Sequence, residues 1–391
     1  MYEIWIRDRY LERIGAISHF TKLELNMRFN DAGKWILELP IEATDAINLI
    51  IEARRQGGGI GGIIVSRDGH IIFSGPIRNI EMAEEWTGSG EGKFVAYGID
   101  DTGLLATRLA MPPNQAGRYR PGAGTGIGYD VFTGPVESAL IHLVLKNGGA
   151  EAEDGREIYL LATNPDEGRG PVVTVRSRYD NLLEKLKEVA LLGGLGFRVV
   201  QEFDDFFGIN LLVFQIYQPQ DVTREVVFSK ARRNLAGYRY YVEAPEANFI
   251  IVGGGGEETD RYFAYTADEP SRVLYGTIES FLDQRHTTDQ AELLQALYAE
   301  LEERTEKTEL EIKPLDAEGT QFSKDYRLGD KATVEVQGEK IHDVIRAIDL
   351  VITPDGENVT PIVGTPGVGT SFRLFDDFRR LQGRVGKIER R

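Results

Sequence analysis

Arg28-Phe29-Asn30-Asp31-Ala32-Gly33-Lys34-Trp35-Ile36-Leu37 is a strand end, an Asn-Asp-Ala-Gly turn and a second strand opening on a large aromatic. That is the chemistry of a β-hairpin. Strand-like segments extend from it through the first hundred residues. Tyr2 to Arg7, Lys22 to Phe29, Trp35 to Leu39, Gly62 to Ser66, His70 to Ile80 and Lys93 to Asp100 alternate or run apolar for strand length, with turns such as Arg67-Asp68-Gly69 between them. Thr44 to Arg54 carries Ala46, Ile47, Ile50 and Ile51 at helical spacing and predicts a short helix ending at Gly57. Residues 1–110 therefore read as a β-rich domain with a single helix.

The texture changes at Met111. Pro-Pro-Asn-Gln, Arg118-Tyr119-Arg120-Pro121 and a glycine-rich run to Gly128 make a loop whose length marks it as functional or mobile. A helix is expected from Pro135, suited to the first helical position, with Glu137 near the positive end and Lys146-Asn147-Gly148 closing it. A second should start at Asp180, bury Leu182, Leu183, Leu186 and Val189, and stop at Gly193-Gly194. Strands resume at Phe197 to Glu202 and Gly208 to Tyr217, so 111–224 reads as an insertion domain of two helices and a hairpin. Alternation returns in Tyr238 to Val242 and Asn248 to Val252. The best helix in the chain, Asp289 to Arg304, sets Leu293, Leu294, Leu297 and Leu301 on one face and Glu292, Glu300 and Glu303 toward water. Strands at Leu310 to Ile312, Lys331 to Val336, Ile341 to Ile352 and Pro361 to Val363 complete a second β-rich domain, 225–372. The two β-rich blocks share a texture that fits a structural duplication, although no internal sequence identity supports one. The tail 373–391 holds seven basic residues, among them Arg379, Arg380 and Arg384, against Asp376, Asp377 and Glu389. A solvated end or a docking arm for an acidic partner both fit such a run.

Composition narrows the function. The 391 residues are 41% hydrophobic and 27% charged, which fits a globular, multidomain chain rather than disorder. No apolar run reaches the roughly 18 to 20 residues that span a bilayer, and the first residues lack a signal peptide's charged and apolar regions, so neither stable membrane insertion nor ordinary export is expected. With no cysteine, disulfides, thiolate nucleophiles and cysteine-type zinc sites are excluded. Five histidines without metal-ligand spacing make a metal enzyme improbable on the sequence, and no cofactor is expected. The formal charge of −17 disfavours a protein that holds nucleic acid, yet suits a surface past which DNA slides.

Apparent motifs dissolve on inspection. Asp101-Thr102-Gly103 matches the aspartic protease triplet, but one copy supplies one carboxylate where the chemistry needs two, and an Asp capping a turn is expected there. The glycine clusters 57–62, 122–128, 253–256 and 364–369 lack the Lys-Ser or Lys-Thr of a phosphate loop and read as turns, or as close approaches near an oligomer axis. The acid pairs Glu84-Glu85, Asp204-Asp205, Glu257-Glu258 and Asp376-Asp377 sit side by side on turns, not across a cleft as a glycosidase requires. No catalytic constellation remains.

Four separated fingerprints then carry a family likeness. They are Arg28-Phe29-Asn30 with Gly33 and Trp35; Gly62 to Gly69 leading to Ser74-Gly75-Pro76; Gly98-Ile99-Asp100-Asp101; and Tyr129-Asp130 with Thr133-Gly134-Pro135 and Glu137. Over residues 1 to 145 the chain resembles the tail-hub family of long-tailed phages and prophages, which is related in fold to the T-even baseplate hub and to the N-terminal module of tail-associated lysins. Tyr326-Arg327-Leu328-Gly329-Asp330 is a weaker match to the family's distal tube domain. The resemblance implies a mainly β fold with inserted helices, two tube-like antiparallel β domains with helical insertions. It also implies a homotrimer that continues the tail tube as a pseudo-six-fold ring. Its implied place is the tail tip of the virion, with phage DNA only in transit. Expected partners are the distal tail protein, tail tube protein, tape-measure protein and tail fibre or receptor-binding proteins. Three chains at −17 sum to −51, a negative lumen for DNA passage. Arg118, Tyr119, Arg120, Arg379, Arg380 and Arg384 are the candidate interface residues. Tail-associated lysins carry a peptidase or glycosidase after the hub module, whereas this sequence ends in the basic tail, so any lytic activity is expected on a separate polypeptide. The alternative readings are a tail-associated peptidoglycan hydrolase or protease, and the hub of a contractile injection system or gene transfer agent.

Overall fold

The computed structural model describes residues 2–84, 92–113, 128–204, 208–256, 260–315, 317 and 319–364. The chain is mostly β with helices inserted, as the sequence predicts, and divides into two compact units. The first comprises residues 1–220 and 348–359, the second 221–347 and 360–391.

In the first unit, β1 (Tyr2–Arg7), β2 (Arg13–Ile17), β3 (Lys22–Arg28), β4 (Lys34–Pro40), helix α1 (Thr44–Gln56), β5 (Gly62–Arg67), β6 (His70–Glu84) and β7 (Gly92–Ile99) follow in order. Their antiparallel pairing runs β2-β1-β5-β6-β7-β4-β3, and residues 348–353 lie beside β3. Strand β6 turns a corner. Up to Pro76 it pairs with β5, and from Ile77 it pairs with β7, with a bulge between Ile77 and Asn79. The corner explains three fingerprint glycines, because a Cβ on Gly62, Gly75 or Gly98 would fall 2.0 Å from the carbonyl oxygen of Gly75, Ile99 or Pro76 respectively. Gly98 also lies directly opposite Trp35, whose Nε1 would be 2.7 Å from that Cβ. The glycine makes room for the buried indole of the quoted hairpin.

A 3-10 turn (Asp101–Thr107) leads from β7 into the helical part of the same unit. There β8 (Leu109–Ala110), β9 (Asp130–Pro135), α2 (Val136–Asn147), β10 (Leu161–Thr163), β11 (Val172–Ser177), β12 (Asp180–Asn181), α3 (Leu182–Gly193), β13 (Gly196–Asp204) and β14 (Ile209–Tyr217) surround one apolar core. Helices α2 and α3 match expectation closely. Pro135 sits one position earlier than expected, as the N-cap, and Gly194 takes the left-handed C-cap at φ 59°. Glu137 does more than favour the helix dipole. It is buried, and Arg169 binds it through Nη2 at 2.6 Å and Nε at 3.0 Å, which holds its carboxyl below the usual range.

The second unit holds β15 (Val227–Phe228), β16 (Leu235–Glu243), β17 (Phe249–Gly253), β18 (Phe263–Ala267), α4 (Glu269–Tyr275), β19 (Glu279–Asp283), α5 (Gln290–Arg304), β20 (Lys307–Pro314), β21 (Lys331–Val336), β22 (Glu339–Thr353) and β23 (Gly356–Gly364), the last two contributing their other ends to the first unit. One sheet orders its strands β16-β20-β23-β22, with β21 and β15 beyond β22. In the other, β17 lies between antiparallel β18 and parallel β19, and Leu293 and Leu297 of α5 pack on Ile250 and Val252. Leu294, expected in that stripe, is exposed. Two of the three acids expected in water are engaged instead: Glu292 accepts a hydrogen bond from Thr287 Oγ1 at 2.8 Å and Glu300 pairs with Arg304 at 2.5 Å. In the weaker family match, Asp330 Oδ2 accepts from the Arg327 N–H at 2.9 Å, closing the turn before β21.

Replacing Gly98 by Ala should cost about 1–3 kcal/mol or more, since the clash is with backbone and a buried ring. Urea denaturation reads this directly, and an unchanged midpoint would contradict the corner.

Candidate assembly surface and its buried support

The turn cap expected of Asp101 belongs to its neighbour. Asp100 Oδ1 accepts from the Gly103 N–H at 2.9 Å. Asp101 points inward, fully buried, and Arg7, equally buried, grips it with Nη1 at 2.8 Å and Nη2 at 2.5 Å. Ser74 Oγ donates to the same carboxylate at 2.6 Å. Two further guanidinium N–H groups donate to Gln201 Oε1 at 2.9 Å and the Ile60 carbonyl at 3.1 Å, and Gln201 in turn donates to the Leu11 carbonyl at 2.8 Å. One ion pair thus joins β1, β6, the 3-10 turn and β13. A shared-proton dyad needs a second carboxylate beside the first, and here an arginine occupies that place.

The quoted hairpin makes a second joint. Asn30 adopts a left-handed φ of 53°, which Asn tolerates better than most residues. Its Nδ2 donates to the Leu195 carbonyl at 2.9 Å and its Oδ1 accepts from the Phe197 N–H at 2.7 Å, so the side-chain amide copies a β bridge to the start of β13. Phe29 meets Tyr217 edge-on at 6.4 Å, and Asp31 pairs with Lys187 of α3 at 2.9 Å. Gly33 accepts from the Asp100 N–H at 3.0 Å. Burial pushes the Asp100 carboxyl up to about 7, with Asp101 and Asp31 adding to the rise and the Gly33 and Gly103 N–H groups opposing it.

The second unit offers surfaces that are left exposed among the described residues. Among the described residues, strand β16 ends its sheet, paired only with β20. Tyr238, Tyr240 and Val242 lie on the side of the buried Ile312 and Leu310, yet remain about 40% exposed. The core face therefore runs out to an open edge. On the three-stranded sheet, Phe263, Tyr265 and Phe281 are exposed, with Arg261 over the rings of Phe263 and Phe281 at 5.3 and 5.6 Å.

Arg118, Tyr119 and Arg120, and Arg379, Arg380 and Arg384, lie outside the described residues, as do the side chains of the four acid pairs. The Gly253–Gly256 run is a turn, as expected, with the Gly254 and Gly255 N–H groups donating to the carbonyls of Tyr262 and Thr287. Sequence reasoning missed Arg7, Ser74 and Gln201, whose partners lie 27 to 194 residues away, and the joint made by Asn30. Among the described residues no three His, Asp or Glu side chains gather as a metal site, and no helix is long and apolar enough to cross a membrane.

The model of the siphovirus ReqiPepy6 Gp37-like protein family matches residues 3–365. The chain belongs to that family. No curated protein sequence matches it. Solved structures similar to this Gp37-like chain include the 43 kDa tail protein of prophage MuSo2 from Shewanella oneidensis, at 12% identity and a TM-score of 0.58 over 92% of this chain and 98% of that one. The tail protein from Neisseria meningitidis MC58 gives 13% and 0.56 over 94% and 97%, and prophage tail protein gp18 from Listeria monocytogenes EGD-e gives 11% and 0.52 over 97% and 99%. These likenesses establish the fold, and the likeness carried by the four fingerprints holds. The chain thus pairs membership of a siphovirus protein family with the fold of prophage tail proteins.

Asp101→Ala strands a buried guanidinium and should destabilise the protein by roughly 3 to 5 kcal/mol in chemical denaturation. A loss under about 1 kcal/mol, the net worth of an ordinary hydrogen bond, would contradict its role as a joint. Because the Asp100 pKa is raised on folding from 3.8 to about 7, its contribution is most favourable below the unfolded value and is lost as pH climbs through 7. The melting temperature should fall between pH 5.5 and 8, and Asp100→Asn, which keeps the acceptor for Gly103, should flatten that slope. A variant as pH-sensitive as the wild type would contradict the assignment.

Proposed function

We propose that this chain is the hub of the tail tip in a long-tailed phage or prophage, three copies closing into a ring that caps the tail tube. DNA passes through the ring at ejection, and the ring takes part in host attachment. The observation that carries this reading is the open edge of β16, where Tyr238, Tyr240 and Val242 continue the core face without cover among the described residues. An edge of that kind invites another chain, and natural monomers blunt it with lysine, proline or a short strand. Strand β2 ends the strand order of the first unit, so among the described residues the larger sheets supply an end strand in each unit, the two unlike edges that head-to-tail ring closure uses. Supporting charge comes from the −17 of each copy, which lines a passage that repels DNA rather than holding it.

In this reading the division into 1–110, 111–224, 225–372 and 373–391 describes two tube-like β domains, the insertion between them and a basic arm. The neighbours are the distal tail protein, tail tube protein, tape-measure protein and tail fibre or receptor-binding proteins. The work is assembly and passage, with no catalytic step and no cofactor.

Light scattering on the purified full-length protein should give three times the 43.7 kDa of one chain. Placing lysines on the edge with Tyr240→Lys and Tyr241→Lys should return a monomer whose melting temperature is that of the wild-type chain when diluted to monomer. A monomer at every wild-type concentration, or a trimer that survives the lysines, would contradict the proposal.

A further inference from the structure

We propose that the glycine turn after α1, with the cavity beside it, is a binding site for a phosphorylated saccharide. The site lies wholly in the first unit and does not depend on the ring described above. The cavity holds about 380 Å³ and is lined by Arg9, Tyr10, Gly57, Gly58, Ile60 and Tyr159. That volume suits a single sugar with its phosphate.

The anion end of the site is built from backbone and arginine. Gly57 is right-handed at φ −71° and ψ −4°, and Gly58 and Gly59 are left-handed at φ 56° and 84°. This succession turns neighbouring N–H groups toward one point, the concavity that binds phosphate oxygens. Unlike those of Gly254 and Gly255, the Gly58 and Gly59 N–H groups donate to no carbonyl among the described residues. Two guanidiniums flank the turn: a Cβ on Gly58 would lie 3.5 Å from Arg9 Nη2, and one on Gly59 4.0 Å from Arg78 Nη1. Arg54 joins them by donating from Nε to the Arg78 carbonyl at 3.1 Å. Among the described residues none of these three arginines forms an ion pair, in a chain that carries 62 acidic residues. Burial of the Arg78 guanidinium lowers its pKa, while Asp101, the acid that attracts it, is already held by Arg7. Asp8, next to Arg9, spends its Oδ1 on the N–H groups of Tyr10 and Glu12 at 2.8 and 3.0 Å. The C-terminal carbonyls of α1 face the same turn and repel an anion, so the arginines must carry the attraction.

The other end of the cavity is aromatic. Tyr10 and Tyr159 stand edge to face at 6.2 Å, 54% and 48% exposed, and Arg9 lies over the Tyr10 ring at 5.9 Å. Ring faces of this kind stack on the C–H surface of a sugar while their hydroxyls reach its oxygens. A bare phosphate has no use for two tyrosines, and an acidic peptide gains little from them.

The full-length protein is titrated at fixed ionic strength with glucose 1-phosphate, glucose, inorganic phosphate and a polyglutamate peptide, using calorimetry and ligand-observed NMR. Glucose 1-phosphate should bind more tightly than the other three. Arg9→Ala should weaken both glucose 1-phosphate and phosphate by about tenfold or more, as loss of a charge-assisted contact does. Tyr159→Ala should weaken glucose 1-phosphate and leave phosphate unchanged. Arg78→Gln gives an independent second removal of charge, and an unchanged melting temperature in each variant shows that the fold is intact. Glucose 1-phosphate that binds no better than phosphate or polyglutamate, or that does not bind at millimolar concentration, overturns the proposal.

Discussion

Arg7 and Asp101 set the terms for the first unit. Taking a guanidinium and a carboxylate out of water costs several kcal/mol for each ion, and only near-ideal geometry with every remaining donor satisfied offsets it. The pair comes close on both counts: the fork is bidentate, Ser74 adds a third bond to the carboxylate, and with Gln201 and the Ile60 carbonyl four of the five guanidinium N–H groups are bonded. Such an arrangement tolerates no slippage. It holds the first strand, the corner strand, the 3-10 turn and the β13 hairpin in one register, because shifting any of them leaves a buried charge without its partner.

Around that pair the other joints are made from short side chains and from missing ones. Asn30 lends its amide to β13 where no strand could pair, and Gly62, Gly75 and Gly98 let backbones approach more closely than any side chain allows. The Trp35 indole fills the space that Gly98 opens. The second unit is built differently. Among the described residues its two sheets leave apolar side chains exposed, in the tyrosines of β16 and in the aromatic row of Phe263, Tyr265 and Phe281, the kind of patch that marks an interaction surface.

The legible part of the fold was that written in local periodicity and punctuation. Alternation located β1, β3, β4 and β5, and leucine spacing with capping residues located α2, α3 and α5 to within a residue or two. The short β2, with Gly15 and Ala16, carries too little apolar pattern to be seen, and α4 is only seven residues long. Leu294 was misplaced because the three strands under α5 are too narrow to cover a four-leucine stripe. Asp101 was read from its neighbours as a cap. Its true partner is Arg7, 94 residues away, and no local rule names a partner at that distance. The hairpin was identifiable as a fingerprint, whereas the joint it makes with β13 depends on tertiary contact alone.

The central claim concerns place and number, a hub of three copies at the end of a tail. The direct measurement is on the particle itself: the chain carrying a small tag, labelled with nanogold and imaged on intact tails, with copies per virion counted by quantitative mass spectrometry. The account predicts label confined to the tail tip and three copies per particle. Label along the tube in many copies, or a particle that lacks the chain, would contradict it.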